Sequence, residues 1–301
     1  MLALVACRSE RRPRDASHGT RADVTTLTDG GAPSPPPRRA TVDARNVTGW
    51  AELTSGVRWR RGVVRVVSVE PPVEREAPPP EALHWVEVRV DVARAAIAVE
   101  RCANDSITTQ WQRDSSALAI FNGAYFEPDY RPSGLVLSGG VTAAPVGPRG
   151  GSGILRVASG RVDVVPIDAR GGATFTPAAD VSMALQCGPR VIEAGGVPGI
   201  YRHDGRYAAR TVACVRDHGA TLDLIAAWDV DDDRRGPELH DLATLLASPS
   251  PLGGDGPCET ALNLDGGPST GVYVRARAQS AGVEHAPVGP TPWALVVRPR
   301  P

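Results

Sequence analysis

Ala261-Leu262-Asn263-Leu264-Asp265-Gly266-Gly267-Pro268-Ser269-Thr270 is the stretch on which the reading of this chain turns. A short apolar strand ends in a carboxylate, Asp265. A Gly-Gly turn and two hydroxyls follow. Glycines let backbone N–H groups approach a ligand closely, and successive N–H groups in a turn bind anions. An acid beside oxyanion-binding donors at a strand end supplies parts of a hydrolytic site. Asp-Gly-Gly is also a common turn for local reasons, so its meaning depends on what lies upstream.

Three upstream stretches extend the pattern. Phe121-Asn122-Gly123-Ala124-Tyr125-Phe126 follows the apolar run Leu118-Ala119-Ile120. Gln186-Cys187-Gly188-Pro189-Arg190 precedes Val191-Ile192, and Arg210-Thr211-Val212-Ala213-Cys214-Val215 reads as a strand. In this order, with Leu-Asp-Gly-Gly-Pro-Ser-Thr, they resemble the phosphodiester glycosidase family, whose members include one that removes N-acetylglucosamine from phosphate. The usual motifs of that family are Asn-Gly-Gly-Tyr-Phe, Gln-x-Gly-Pro, Arg-Thr-Ala-Val-Gly and Asn-Leu-Asp-Gly-Gly-Gly-Ser. Gly236-Pro237-Glu238-Leu239-His240-Asp241-Leu242-Ala243 resembles the helix that precedes the Asp-Gly-Gly strand. The resemblance runs from about Gly56 to Val297. It departs at Ala124, Cys214 and Pro268, each standing where the family has glycine; Pro268 also removes one N–H from the turn. Pro290-Thr291-Pro292-Trp293-Ala294 lacks the arginine expected before the last strand.

The resemblance implies cleavage of a sugar C1–O bond with a phosphate as leaving group. Such a group leaves with little protonation, so the usual pair of carboxylates is not required. One acid and an anion-binding cation suffice. Asp265 is the candidate catalytic carboxylate, and Arg210 the candidate phosphate ligand, because guanidinium matches phosphate oxygens bidentately. Asn122 joins Asp265 and Arg210 in the candidate catalytic set, as the contact for a sugar hydroxyl or acetamido group. Tyr125 and Phe126 are candidates for a sugar-stacking wall. Gln186, Asn263, Gly266, Gly267, Ser269 and Thr270 complete the candidate substrate-binding set. Each has a plainer reading as a turn, core or surface residue.

No cofactor or metal is expected. The six histidines show no ligand spacing, since His203-Asp204 and His240-Asp241 are adjacent pairs that do not face one another in a strand or helix. Asp229 and Asp231-Asp232-Asp233 lack the Gly and Glu of an EF-hand loop and read as a solvated loop. No P-loop, Gly-x-Ser-x-Gly or dinucleotide fingerprint occurs.

The net charge of −1 gives no support to a nucleic-acid partner or an anionic membrane surface. There is no lysine; all 33 basic residues are arginine, which fits a GC-rich bacterial genome. Leu4-Val5-Ala6-Cys7 resembles a bacterial lipobox, although the apolar stretch is short and no basic segment precedes it. Either the true start lies upstream or the match is chance. Residues 8–45 are rich in Arg, Pro, Ser, Thr, Asp and Gly, and have too little to bury to offset their ordering entropy. The expectation is a truncated lipoprotein-type signal and disordered linker over 1–45, a glycosidase-like domain over 46–301, a lipid anchor through Cys7 and export to the cell envelope.

Cys102, Cys187, Cys214 and Cys258 are an even set that permits disulfides, or else buried thiols. If Gln186–Ile192 paired with Ala209–Val215, one register would set Cys187 opposite Cys214. Trp85-Val86-Glu87-Val88-Arg89-Val90-Asp91 alternates with period 2 and predicts a half-buried strand. Pro237 is placed as the first residue of a helix, with Leu239, Leu242 and Leu246 on one face. Strands outnumber helices without regular βαβ alternation, so the expected fold is α+β: a mixed, largely antiparallel sheet with a few flanking helices in one domain. The expected substrate is a sugar-1-phosphodiester or phosphorylated glycan. The alternative is a non-catalytic surface protein that binds such a glycan.

Overall fold

The computed structural model describes residues 41–67, 78–168, 172–250, 252–276 and 281–300. Cys7, the stretch 8–40 and the Pro71-Pro72 pair lie outside these. Residues 41–45, read above as the end of a linker, instead form a strand. The elements are β1 (Thr41–Arg45), β2 (Ala51–Thr54), β3 (Val57–Val67), β4 (Leu83–Asp91), β5 (Ala95–Arg101), α1 (Ile107–Arg113), β6 (Ala119–Asn122), β7 (Val136–Ser138), β8 (Val141–Ala144), β9 (Gly153–Ala158), β10 (Arg161–Pro166), β11 (Val181–Cys187), β12 (Arg190–Glu193), β13 (Val197–Pro198), β14 (Arg210–Arg216), β15 (Thr221–Asp229), α2 (Leu239–Leu246), β16 (Thr260–Asn263), β17 (Val272–Val274), β18 (Val283–His285) and β19 (Trp293–Pro299).

These strands form three sheets. The largest runs β1-β3-β4-β15-β14-β16-β12-β13, with β2 added on β3; the others run β10-β9-β11-β7-β8 and β18-β17-β6-β19-β5. Every strand pair among the described residues is antiparallel. The α+β, largely antiparallel expectation holds, with the sheet divided in three. One core serves all three sheets: Val86, Val88 and Val90 of β4, Phe121 of β6, Leu155 of β9, Leu185 of β11, Leu262 of β16 and Leu295 of β19 pack together. Sheet faces that are apolar by alternation bury them against one another, at roughly 2 kcal/mol per large aliphatic side chain.

The outer face of the large sheet is not open to solvent either. Leu242, Leu245 and Leu246 of α2 cover Val191, Val212, Ile225 and Ala261. Helix α2 starts two residues later than predicted, at Leu239, because Glu238 at its N-cap is still extended. The charges that alternate with valine along β4 are paired, not solvated. Arg60 Nε donates to Glu87 at 2.9 Å, Arg89 makes two 2.7 Å bonds to Asp223, and Arg216 Nε reaches Asp223 at 2.6 Å. Burial, reinforced by Asp223, pushes the Glu87 carboxyl up to about 8.

The disulfide is not the one that the register argument allowed. Strand β16 lies between β12 and β14, and β11 belongs to another sheet, so Cys187 never meets Cys214. Instead Cys214 joins Cys258, just before β16, with Cα atoms 5.6 Å apart. Cys102 and Cys187 are buried thiols.

Candidate active site

The ends of the three sheets converge on Asp265. Strands β14 and β16 pair with Val212 opposite Asn263 and Ala213 opposite Leu262. Leu264 N donates to Thr211 O at 2.8 Å, which carries the contact between the two segments one residue past β16, toward Arg210 and Asp265. Asp265 N donates to Gly123 O at 3.1 Å, which brings in the end of β6. Cys187 Sγ, at the end of β11, lies 3.7 Å from the same carbonyl.

After Asp265 the chain turns sharply. Gly266 N donates to Asp265 Oδ1 at 2.9 Å and Gly267 N to Ala209 O at 2.7 Å. A Cβ on Gly266 would sit 2.8 Å from the Ala209 carbonyl oxygen, and Gly267 has φ +60°. The first position excludes a side chain by contact and the second disfavours one by backbone strain. Both glycines are therefore needed to bring the turn against β14.

Several motif residues turn out to hold this arrangement together. Asn122 is buried, donates from Nδ2 to Asp265 O at 2.6 Å, and accepts at Oδ1 from Thr211 Oγ1 (2.6 Å) and Gly271 N (3.2 Å). It positions Asp265, and its carbonyl is fully used. The Gln186 amide is saturated: Oε1 accepts from Leu135 N and Gly147 N at 3.1 and 3.0 Å, and Nε2 donates to Gly147 O and Gly151 O at 2.9 and 3.0 Å. That leaves it no capacity for a sugar. Asn263 Nδ2 lies within 3.0 Å of the Tyr125 phenol oxygen and 3.1 Å of Gly188 O, while its Oδ1 is buried without a partner among the described residues. The Tyr125 hydroxyl donates to Gly188 O, and burial pushes the phenol's pKa up. Phe126 is half-buried and tilts against Tyr130, ring centres 5.8 Å apart. Ser269 is buried with Oγ 3.3 Å from Pro290 O, and Thr270 Oγ1 is buried without a partner among the described residues.

Two charged groups keep spare capacity. Burial pushes the Asp265 carboxyl from 3.8 up to about 6, against the hydrogen bonds of Ser269 and Gly266 N–H, which pull it down. Arg210 spends Nε on Pro237 O (3.2 Å) and Nη2 on Arg206 O (3.1 Å), and forms no ion pair among the described residues. Burial works against its charge and lowers its pKa. Tyr125 feels both Asp265 and Arg210 electrostatically, so the three share one neighbourhood. Gly188, whose carbonyl accepts from Tyr125, also lines a cavity of about 380 Å³ with Arg149, Ser152, Asp168 and Pro189; neither Asp265 nor Arg210 lines it.

Sequence reasoning missed Thr211 as the partner of Asn122; its place beside Arg210 in a strand gave no signal of a role. It also missed that His203 approaches His240 and Asp241 beside Arg210, with one ligand atom from each within 4.8 Å of the others. The adjacent pairs in the sequence do not face one another, but the fold brings one member of the first to both of the second. Asp231 to Asp233 are exposed, as a solvated loop requires, but Asp229, read with them, is the buried last residue of β15.

The chain is similar to the catalytic domain of zebrafish N-acetylglucosamine-1-phosphodiester alpha-N-acetylglucosaminidase auto-inhibited by its pro-peptide, at 12% identity and a TM-score of 0.57, covering 87% of this chain and 89% of that one. It is also similar to a hypothetical protein from Synechocystis, at 16% identity and a TM-score of 0.49, covering 86% of this chain and 64% of that one. No curated protein sequence matches it. The model of the phosphodiester glycosidase family matches residues 115–297, which include all four motifs, Asn122, Arg210 and Asp265. With more than half of its length matched, the chain belongs to the phosphodiester glycosidase family.

Proposed function

We propose that this protein hydrolyses sugar-1-phosphodiesters of the N-acetylglucosamine-1-phosphodiester kind, in an envelope or extracellular glycan outside the cell. One observation carries the reading: a buried carboxyl raised to about 6 and a buried guanidinium, bonded among the described residues only to carbonyls, both lie close enough to Tyr125 to act on its hydroxyl. Family membership and the likeness to the zebrafish fold support it.

The chemistry follows from those two groups. Arg210 holds the phosphate oxygens and stabilises the charge that grows on them as the C1–O bond breaks. The N–H groups of Gly266 and Gly267 are already spent on Asp265 Oδ1 and Ala209 O, so the guanidinium carries the anion. Asp265, ionised above about pH 6, accepts a proton from the water whose oxygen bonds to C1. A carboxyl poised near neutrality is a better base than one at the ordinary 3.8, because it holds the proton more firmly while still being ionised at working pH. Asn122 fixes the Asp265 backbone, and Thr211 fixes Asn122.

Incubating the purified protein with UDP-N-acetylglucosamine and measuring free sugar tests this directly. Release that disappears in Asp265→Asn supports the reading. Binding of the nucleotide sugar without release would favour the glycan-binding alternative, and neither binding nor release would reject the substrate class.

A further inference from the structure

We propose that His203, His240 and Asp241 form a binding site for one divalent transition-metal ion of the zinc class. The site does not depend on the phosphodiester reading. His240 and Asp241 occupy the first turn of α2, and His203 comes from the loop ahead of β14. One ligand atom from each residue lies within 4.8 Å of the others. Asp241 Oδ1 stands 3.5 Å from His240 Nδ1, and the two imidazole rings lie 3.8 Å apart, centre to centre. Metal–nitrogen and metal–oxygen bonds of about 2.0–2.2 Å need donor separations of roughly 3–3.5 Å, so small side-chain rotations complete the ligand set.

A second observation points to a ligand at this place. His240 Nδ1 is buried and makes no hydrogen bond, although Asp241 is close. A buried polar nitrogen left without a partner is costly and rare, and a cation would satisfy it. A third concerns orientation. Glu238 accepts from His203 Nδ1 at 2.7 Å and from Gly205 N at 2.9 Å, and from Asp204 N as well. Carboxylate behind histidine is the usual outer-shell arrangement of metal-binding imidazoles.

The donor set selects the metal. Two imidazoles and one carboxylate suit Zn²⁺, Co²⁺ or Ni²⁺; Mg²⁺ and Ca²⁺ prefer oxygen-only shells. All three residues are half-buried, which leaves room for water as a fourth ligand. The ion would tie the 203–206 loop to α2. Arg206 O and Pro237 O, the two carbonyls that anchor Arg210, flank that tie.

The test uses the full chain without a histidine tag, stripped with chelator and titrated calorimetrically with ZnCl₂ and separately with MgCl₂. The expected result is one equivalent of Zn²⁺, no heat from Mg²⁺, and a rise in Tm of about 5 °C at saturating Zn²⁺. Co²⁺ should give the visible absorption of a four-coordinate site. His240→Ala and Asp241→Asn should each weaken Zn²⁺ binding about tenfold or more. Circular dichroism checks that each variant folds; if His240→Ala does not, Asp241→Asn and His203→Gln carry the test. No Zn²⁺ binding by the wild-type protein, or affinity unchanged in the folded variants, would overturn the site. Sugar release is not a readout here, so the glycosidase reading stands or falls separately.

Discussion

Asp265→Asn should make the protein more stable at neutral pH while removing its activity. The carboxyl titrates at about 6 in the folded chain against 3.8 in water, because burial disfavours its charge. The folded state therefore binds its proton more tightly than the unfolded state does. Between those two values the native chain carries more protons, so stability falls as pH rises through that window and stays lower above it. Two pH units at about 1.4 kcal/mol each set an upper bound of about 3 kcal/mol, and the part of the carboxylate that still meets water reduces this to about 1–2 kcal/mol. Asparagine has nearly the same shape, carries no charge, and can keep the 2.9 Å bond from Gly266 N at its oxygen. At about 2–4 °C per kcal/mol, the variant should melt about 2–8 °C above wild type near pH 8, and the gap should close toward about pH 4. The assay is thermal unfolding of both proteins across that range. A gap that does not change with pH, or a wild type that gains stability as pH rises through 6 relative to the variant, would refute the assignment of a buried, raised carboxyl at Asp265.

Arg210→Lys should lower kcat/KM about 10–100-fold for a sugar phosphodiester and much less for an uncharged aryl glycoside, since ammonium cannot replace a bidentate fork; equal losses on both substrates would make Arg210 structural. Thr211→Val removes the 2.6 Å bond to buried Asn122 Oδ1 and should cost about 1–2 kcal/mol of stability, with kcat falling more than KM rises, as steady-state kinetics and denaturant unfolding would show. Reducing the Cys214–Cys258 bridge reopens a separation of 44 residues and should cost about 2–4 kcal/mol, read as a lower Tm in dithiothreitol; in the unreduced native protein, mass spectrometry should find neither partner alkylated. An α-linked N-acetylglucosamine phosphodiester places its acetamido group on the same face as the departing phosphate, which closes the substrate-assisted route; exchanging acetamido for hydroxyl should then raise KM more than it lowers kcat, and efficient cleavage of a β-linked substrate would sink the mechanism.

Much of this architecture was legible from local pattern. Period-2 alternation marked β4 and leucine spacing marked α2, because each is set by neighbours in sequence. What failed to show was anything decided by which strand lies beside which. The charges of β4 were expected to meet water, yet Glu87 and Arg89 meet Arg60 and Asp223 from β3 and β15. Cys187 was given a strand partner that belongs to another sheet, since β16 inserts between β12 and β14 from far along the chain. His203 and His240 are separated by all of β14 and β15, so no spacing rule joins them. At the site, motif residues were legible as a set, but their division of labour was not.

That division bears on how such a site works. Asn122, Gln186, Thr211 and Tyr125 are each tied into bonds with backbone or with one another. Gln186 ties Leu135, Gly147 and Gly151 together, while the bonds of the other three run to the segments on either side of Asp265: Asn122 to its carbonyl, Thr211 O to Leu264 N, Tyr125 to Asn263. A lone carboxylate raised to about 6 by burial would escape its penalty by moving toward water if its backbone could shift. The network denies it that movement. The same bonds explain why Ala124 and Cys214 are tolerated where the family has glycine: Ala124 is buried beside the network without belonging to it, and Cys214 spends its side chain on a disulfide on the far face of β14. Pro268 differs, because it removes one more N–H from a turn whose neighbouring donors are spent: Gly266 N on Asp265 Oδ1, Gly267 N on Ala209 O and Ser269 N on Gly266 O. With those turn donors committed, Arg210 must carry the anion in the proposed mechanism, which is why it should be the position whose replacement most sharply separates charged from uncharged substrates.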